Sequence, residues 1–189
     1  MTSTPSQYRI ITVCTGNICR SPMAELMLTE ALAAAGLAGA VVDSAGITGY
    51  EVGRPIDPRA ARNLAGHNIA SDTHVAREWR PEWFVSRDLI LALDVDHFGW
   101  LQEAAPDRAA LARIRMLRSF DPAVAGKDGL DQGIEDPWYG SRTDFDLTWD
   151  LINASIPGIV AHVGTELARR RGPERQQPGA AGQQVRSIP

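Results

Sequence analysis

The most constraining feature is the passage from a strand to a helix near the start of the chain. Arg9-Ile-Ile-Thr-Val-Cys14 is apolar and β-branched and reads as a buried strand. Seven residues follow, Thr15-Gly-Asn-Ile-Cys-Arg-Ser21, with Gly16 and Asn17 marking a loop. Ser21-Pro22 then reads as a helix N-cap with proline at the first helical position. Ala, Leu and Met recur at helical spacing from Met23 to Ala35, and Gly36 is a natural stop. A strand that is apolar throughout rather than alternating belongs in a sheet covered on both faces, and parallel strands need such a helical crossover.

The rest of the chain continues the alternation. Strands are expected at Ala40–Asp43 and Leu89–Leu93, with an edge strand at Arg113–Leu117. Helices are expected over 58–64 behind an Asp57 cap, over 96–104, and over 145–171 with a break near Pro157-Gly158. Residues 44–53 and most of 120–140 read as loop. The expectation is an α/β fold: a doubly wound, four-stranded parallel sheet with helices on both faces and a phosphate-binding loop after the first strand. At 189 residues the chain suits one domain. That domain is placed at 8–171, after a flexible N-terminus at 1–7. Residues 172–189, rich in Gly, Pro, Gln and Arg, cannot bury a core and read as a disordered tail.

Composition excludes several classes. No apolar run approaches the ~20 residues of a membrane span, so no membrane association is expected. The first residues lack a basic stretch followed by an apolar one, so no signal peptide is visible. Two cysteines do not make a disulfide scaffold and fit a reducing compartment. A cytoplasmic protein is expected, with signal-independent export left open. Net charge of −4 argues against a nucleic-acid partner. All but one of the 19 basic residues are arginine, the exception being Lys127, a bias that abundant alanine attributes to base composition. Nothing asks for an obligate oligomer, so a monomer or weak dimer is expected.

The chemistry lies in the first loop. Parallel sheets bind ligands at the carboxyl ends of their strands, and this loop sits there, before a helix N-terminus that favours an anion. Gly16 allows close backbone approach, and Asn17 tolerates the left-handed conformation that curls the loop. Arg20 supplies a planar fork for two oxygens of an oxyanion. Cys14 ends the strand beneath this cradle, where a helix N-terminus and an arginine favour the nucleophilic thiolate. Cys-x5-Arg alone is weak, arising by chance in roughly one such chain in five; the flanking strand, Gly, Asn, Ser-Pro and helix make it specific. A cysteine ending a buried strand is ordinarily packing, and Cys19 on its own reads equally well as loop packing. Two cysteines do not supply a four-ligand zinc site, so no metal and no cofactor are expected. An acid is also needed, and Asp57, Asp121 and Asp136 all precede proline; the residues alone leave the three open.

Cys14-Thr-Gly-Asn-Ile-Cys-Arg-Ser-Pro22 resembles the phosphate loop of the low-molecular-weight protein tyrosine phosphatases. The similarity covers roughly residues 8–170, is strongest to actinobacterial members, and extends to Asp43-Ser-Ala-Gly46, Asp57-Pro58, Leu91-Ala-Leu-Asp94 and Asp136-Pro-Trp-Tyr-Gly140. The resemblance implies hydrolysis of protein phosphotyrosine through a cysteinyl-phosphate. Cys14 is then the nucleophile, Arg20 the phosphoryl ligand and Asp136 the general acid and base. Thr15, Gly16, Asn17, Ile18, Cys19 and Ser21 form the loop, with Ser21 donating to the sulfur. Asn17, Ser44 and His74 hold the loop's shape, and Tyr50, Trp138 and Tyr139 wall the pocket. It also favours a reversible Cys14–Cys19 disulfide as protection against oxidation. Implied partners are phosphotyrosine-containing proteins, with inorganic phosphate or a similar oxyanion as product and inhibitor.

Bacterial relatives often carry tryptophan at the position of Tyr50. Related arginine phosphatases tend to carry threonine where Ile18 stands and lack the aromatic pair after Asp-Pro, so Ile18, Trp138 and Tyr139 favour an aromatic ester. An arsenate reductase of this fold passes electrons through typically three thiols, and this chain has two. Flavodoxin-type FMN loops share Thr-Gly-Asn but lack the cysteine and arginine. A phosphotyrosine-binding pseudoenzyme should have lost Cys14, Arg20 or Asp136. His67, His97 and His162 carry no argument beyond surface or packing, and Trp79, Trp83, Trp100 and Trp149 read as packing.

Overall fold

The computed structural model describes residues 7–171. Residues 172–189 and all but the last residue of the 1–7 segment lie outside it. Four strands, β1 (Tyr8–Cys14), β2 (Ala40–Gly46), β3 (Leu89–Ala92) and β4 (Ile114–Met116), form one parallel sheet in the order β2-β1-β3-β4. The first crossover, through α1 (Arg20–Ala34), carries the chain to one side of β1. Later crossovers run the other way, through α2 (Pro58–Gly66), α3 (Trp83–Ser86), α4 (Val95–Ala104) and α5 (Arg108–Leu111). The direction therefore reverses at β1/β3, the position where doubly wound sheets open a crevice at their carboxyl ends. Cys14 pairs with Gly46 at that end.

Side-chain alternation divides the core in two. Tyr8, Ile10, Leu89 and Leu91 pack with α1, α2 and α6 (Arg142–Arg171). Ile11, Val13, Ile90 and Ala92 pack on the opposite face with Trp79, Trp83, Phe84 and Leu101. Both faces are covered, which is why the strands read as continuous apolar runs.

Three local expectations are corrected. Helix α1 begins at Arg20 with Cys19 in the cap position and no side-chain cap bond, so Ser21 is not the N-cap. Its hydroxyl is committed instead to Cys14 and Asn17. Helix α6 runs unbroken through Pro157. A proline in a helix interior costs about 3 kcal/mol, but Ile152, Ile159, Val163 and Leu167 bury the helix on either side of it. Gly158 is there for close approach: a Cβ would fall 2.4 Å from the Phe120 carbonyl oxygen. This helix also starts three residues early, because Asp144 accepts from the backbone N–H of Ser141 at 2.6 Å. Two short helices, α3 and α5, went unassigned in the sequence. Helix α5 rests on Asp107 accepting from the Ala110 N–H. Among the described residues, no helix is long and apolar enough to cross a membrane.

Candidate functional site

The loop leaving β1 is fixed by one buried polar side chain. Asn17 takes the left-handed conformation at φ 60° and is fully buried. Its Oδ1 accepts from the Arg77 backbone N–H at 3.0 Å, which turns its amide nitrogen toward two hydroxyls. Nδ2 donates to Ser21 Oγ at 2.9 Å and to Ser44 Oγ at 2.7 Å. Ser44 Oγ donates to the Glu25 carboxylate, and His74 Nε2 donates to the Asn17 carbonyl at 2.8 Å. Because Ser21 Oγ accepts from Asn17, its proton can go to the sulfur of Cys14, 3.0 Å away, or to the more distant Ala45 carbonyl at 3.4 Å. The chain of donors thus ends on Cys14. Gly46 completes the support, since a Cβ there would sit 2.6 Å from the Thr15 carbonyl oxygen.

Arg20 is held as firmly, its side chain only 3% exposed. Nη1 donates to Asp94 Oδ2 at 2.6 Å and to the Ile134 carbonyl at 2.9 Å. Nη2 lies 2.9 Å from Asp136 Oδ2. Nε is buried and has no partner. A buried guanidinium N–H without an acceptor is costly, and an oxyanion in the adjoining cavity would satisfy it. Asp94 also lies 2.9 Å from His97 Nδ1, an ion-pair distance without hydrogen-bond geometry, and accepts from the His97 backbone N–H. His97 Nε2 meets Thr15 Oγ1 at 2.9 Å, so Arg20, Asp94, His97 and Thr15 link the two ends of the loop.

Over the loop lies a cavity of about 300 Å³. Cys14, Thr15, Gly16, Ile18, Cys19 and Arg20 form its floor. Tyr50, Asp136, Trp138 and Tyr139 stand around the mouth, joined by Thr48 and Glu51. Tyr50 and Tyr139 project into solvent, Tyr139 being 96% exposed. The other two Asp-Pro carboxylates are used elsewhere. Asp57 caps α2 and chelates Arg59. Asp121 is buried against Arg118 and accepts from the Ala123 N–H. Asp136 alone of the three lines the cavity. Ser44 and His74 do not line the cavity and contact Asn17 from behind the loop.

The electrostatics separate the titrating groups. Burial pushes the Cys19 thiol well up, so it stays protonated near neutral pH; both cysteines are free thiols. Burial would also raise Asp94, but the imidazole and backbone N–H of His97 and the charge of Arg20 outweigh it and hold the carboxyl at about 2. Burial raises Glu25 above the usual carboxylate range, against the Ser44 hydroxyl and His74 that favour its charged form. Among the described residues, no group of three His, Cys, Asp or Glu side chains could hold a metal ion.

Sequence reasoning missed Glu25, Asp94 and His97 as parts of the site. Asp94-x-x-His97 has the spacing of a helix cap, and Asp94 does accept from the His97 N–H at 2.9 Å. That signal locates the helix start without revealing that the ring nitrogen turns back to Thr15. His97 is 1% exposed, so it is neither a surface histidine nor simple packing.

The chain has known counterparts. A family model described as low molecular weight phosphotyrosine protein phosphatase matches residues 9–170. The chain is 43% identical over 164 residues to the low molecular weight protein-tyrosine-phosphatase of Streptomyces coelicolor, covering 86% of this chain and 98% of that one. Among solved structures, a protein tyrosine phosphatase from Entamoeba histolytica shares the fold with a TM-score of 0.77 at 24% identity, covering 85% of this chain and 99% of that one. A Drosophila arginine phosphatase matches with a TM-score of 0.72 at 28% identity, covering 81% and 96%.

Proposed function

The chain belongs to the low molecular weight phosphotyrosine protein phosphatase family, and from that premise we propose that it hydrolyses phosphotyrosine in proteins through a phosphorylated Cys14. The observation that carries this reading is the meeting of three features in one cavity. Cys14 Sγ is 3.0 Å from a hydroxyl with a proton to give, Arg20 Nε lacks an acceptor, and Asp136 stands on the rim.

In the first step the Cys14 thiolate attacks phosphorus as the ester P–O bond breaks. Arg20 and the loop N–H groups hold the equatorial oxygens, where charge must be met in the transition state. The departing phenolate takes a proton from Asp136 in its acid form. In the second step Asp136, now a carboxylate, takes a proton from water as the water oxygen attacks phosphorus. The P–S bond breaks, inorganic phosphate leaves, and Ser21 stabilises the returning thiolate with a hydrogen bond. Thr15, Gly16, Asn17, Ile18 and Cys19 shape the cradle, backed by Ser44 and His74. No metal takes part, so chelators leave activity unchanged.

Tyr50, Trp138 and Tyr139 at the mouth, with Ile18 below them, offer aromatic and apolar walls suited to a flat aryl ring. Glu51 and Asp136 stand at the same mouth, so phosphoarginine is the competitor to separate from phosphotyrosine. The test is a panel of phosphotyrosine, phosphoserine and phosphoarginine peptides, compared by kcat/KM in the wild type and Cys14→Ser. The phosphotyrosine peptide should lead by at least about tenfold, with no turnover by Cys14→Ser; a leading phosphoarginine peptide contradicts the substrate assignment.

A further inference from the structure

A second cavity, of about 430 Å³, opens between α2 and the first turns of α6. Its lining includes Phe145 together with Arg59, Arg62 and Arg142, and one carboxylate, Asp146. Arg59 is already committed. It chelates Asp57, donates to the Gly140 carbonyl at 3.1 Å, and lies over Phe145 at 4.8 Å and Trp138 at 5.8 Å. Trp138 also lines the Cys14 cavity, so the Arg59–Trp138 pair is a wall shared by the two.

Arg62 and Arg142 are placed differently. Arg62 donates from Nε to the Pro58 carbonyl, and its guanidinium pairs with no carboxylate among the described residues. Arg142 is 94% exposed and reaches only Asp146, at 3.8 Å. The other oxygen of Asp146 accepts from Asn63 Nδ2 at 2.7 Å, which leaves Asn63 Oδ1 a buried acceptor without a donor. The opposite flank of the Asp136 loop has the reverse charge, with Glu135, Asp136 and Asp144 lining a third cavity. In a chain of net charge −4, the second cavity sets Arg62 and Arg142 against the single carboxylate Asp146, while three carboxylates line the third.

We propose that the second cavity binds an acidic segment of the phosphoprotein substrate beside the phosphotyrosine, its carboxylates meeting Arg62 and Arg142. The proposal rests on the reading of the Cys14 cavity as the phosphotyrosine site and adds to it a preference for sequence context. Two or three extended residues span about 7–10 Å, enough to cross the Arg59–Trp138 wall. A peptide suits the lining better than a bare anion, because a backbone N–H can satisfy Asn63 Oδ1. The acidic third cavity repels the same segment, which fixes the side on which it lies.

The test compares two phosphotyrosine peptides, one with Asp and Glu flanking the phosphotyrosine and one with Asn and Gln at those positions. Nitrophenyl phosphate serves as a substrate without flanks. The enzymes are the wild type and the double variant Arg62→Glu/Arg142→Glu, whose positions are exposed and do not threaten folding. The wild type should favour the acidic peptide by about fivefold in kcat/KM, mostly through KM, as expected of two exposed ion pairs. High salt should erase the preference. The double variant should reverse it while hydrolysing nitrophenyl phosphate as the wild type does. Equal rates on both peptides, or a preference that survives the double substitution, overturn the proposal and leave the phosphotyrosine reading intact. Hydrolysis of nitrophenyl phosphate without either peptide overturns both.

Discussion

The two segments that meet at the cavity are built in opposite ways. The loop after β1 is largely buried and its polar side chains are cross-linked: Asn17 alone engages Ser21, Ser44, Arg77 and His74. The segment carrying Asp136 is a single 3-10 turn, Pro137–Tyr139, at the surface. Its acid is 47% exposed, tied to Arg20 and to the Trp138 N–H. The difference follows from what each must do. A group that stabilises charge in a transition state is most effective when held in place beforehand. An acid that serves a leaving group and then a water has to reach both, which a buried, cross-linked side chain could not.

This contrast predicts that activity and stability separate on one segment and move together on the other. Asp136→Asn should lower kcat on a phosphotyrosine peptide by about 10²–10³-fold, and less on nitrophenyl phosphate, whose leaving group needs little help. Its melting temperature should match the wild type; a matching loss of stability would break the contrast. Asn17→Ala should reduce kcat and also lower the melting temperature by several degrees, because it orphans buried partners worth about 1–3 kcal/mol each. Calorimetry beside kinetics checks both.

Asp94→Asn sharpens the comparison through pH. The carboxyl is held below its ordinary range, at about 2, so its contribution is present above the ordinary value and is lost as pH falls toward 2. Denaturation curves should therefore show a smaller drop in stability between pH 4 and 2 for the variant than for the wild type. Its kcat at neutral pH should fall about tenfold as Arg20 loses its anchor; an unchanged acid profile contradicts the assignment. The smallest effect is expected at the most exposed wall. Tyr139→Ala should raise KM for a phosphotyrosine peptide by a few-fold with kcat nearly constant.

The same contrast explains what could be read from the sequence. The cradle was legible because its residues are contiguous, Cys14 to Ser21, between a recognisable strand and helix. Asp136 was one of three Asp-Pro pairs, and the aromatic pair after it together with the resemblance separated it; in the structure, Asp57 and Asp121 are taken by Arg59 and Arg118. Glu25 and His97 escaped notice because their partners lie 19 and 82 positions away, and no local pattern encodes a contact at that separation. The Pro157-Gly158 stop failed for a related reason. Burial along α6 outweighs a local rule, and Gly158 answers to Phe120 rather than to its own helix.

The central claim is that phosphate passes through the sulfur of Cys14. Rapid quenching of Asp136→Asn with radiolabelled nitrophenyl phosphate, followed by digestion and mass spectrometry, tests it directly, since this leaving group departs without an acid and lets the variant accept phosphate, while hydrolysis of the intermediate stays slow. The account predicts label on the peptide containing Cys14, absent when Cys14 is also changed to Ser. Label on another residue, or turnover that survives Cys14→Ser, would contradict it.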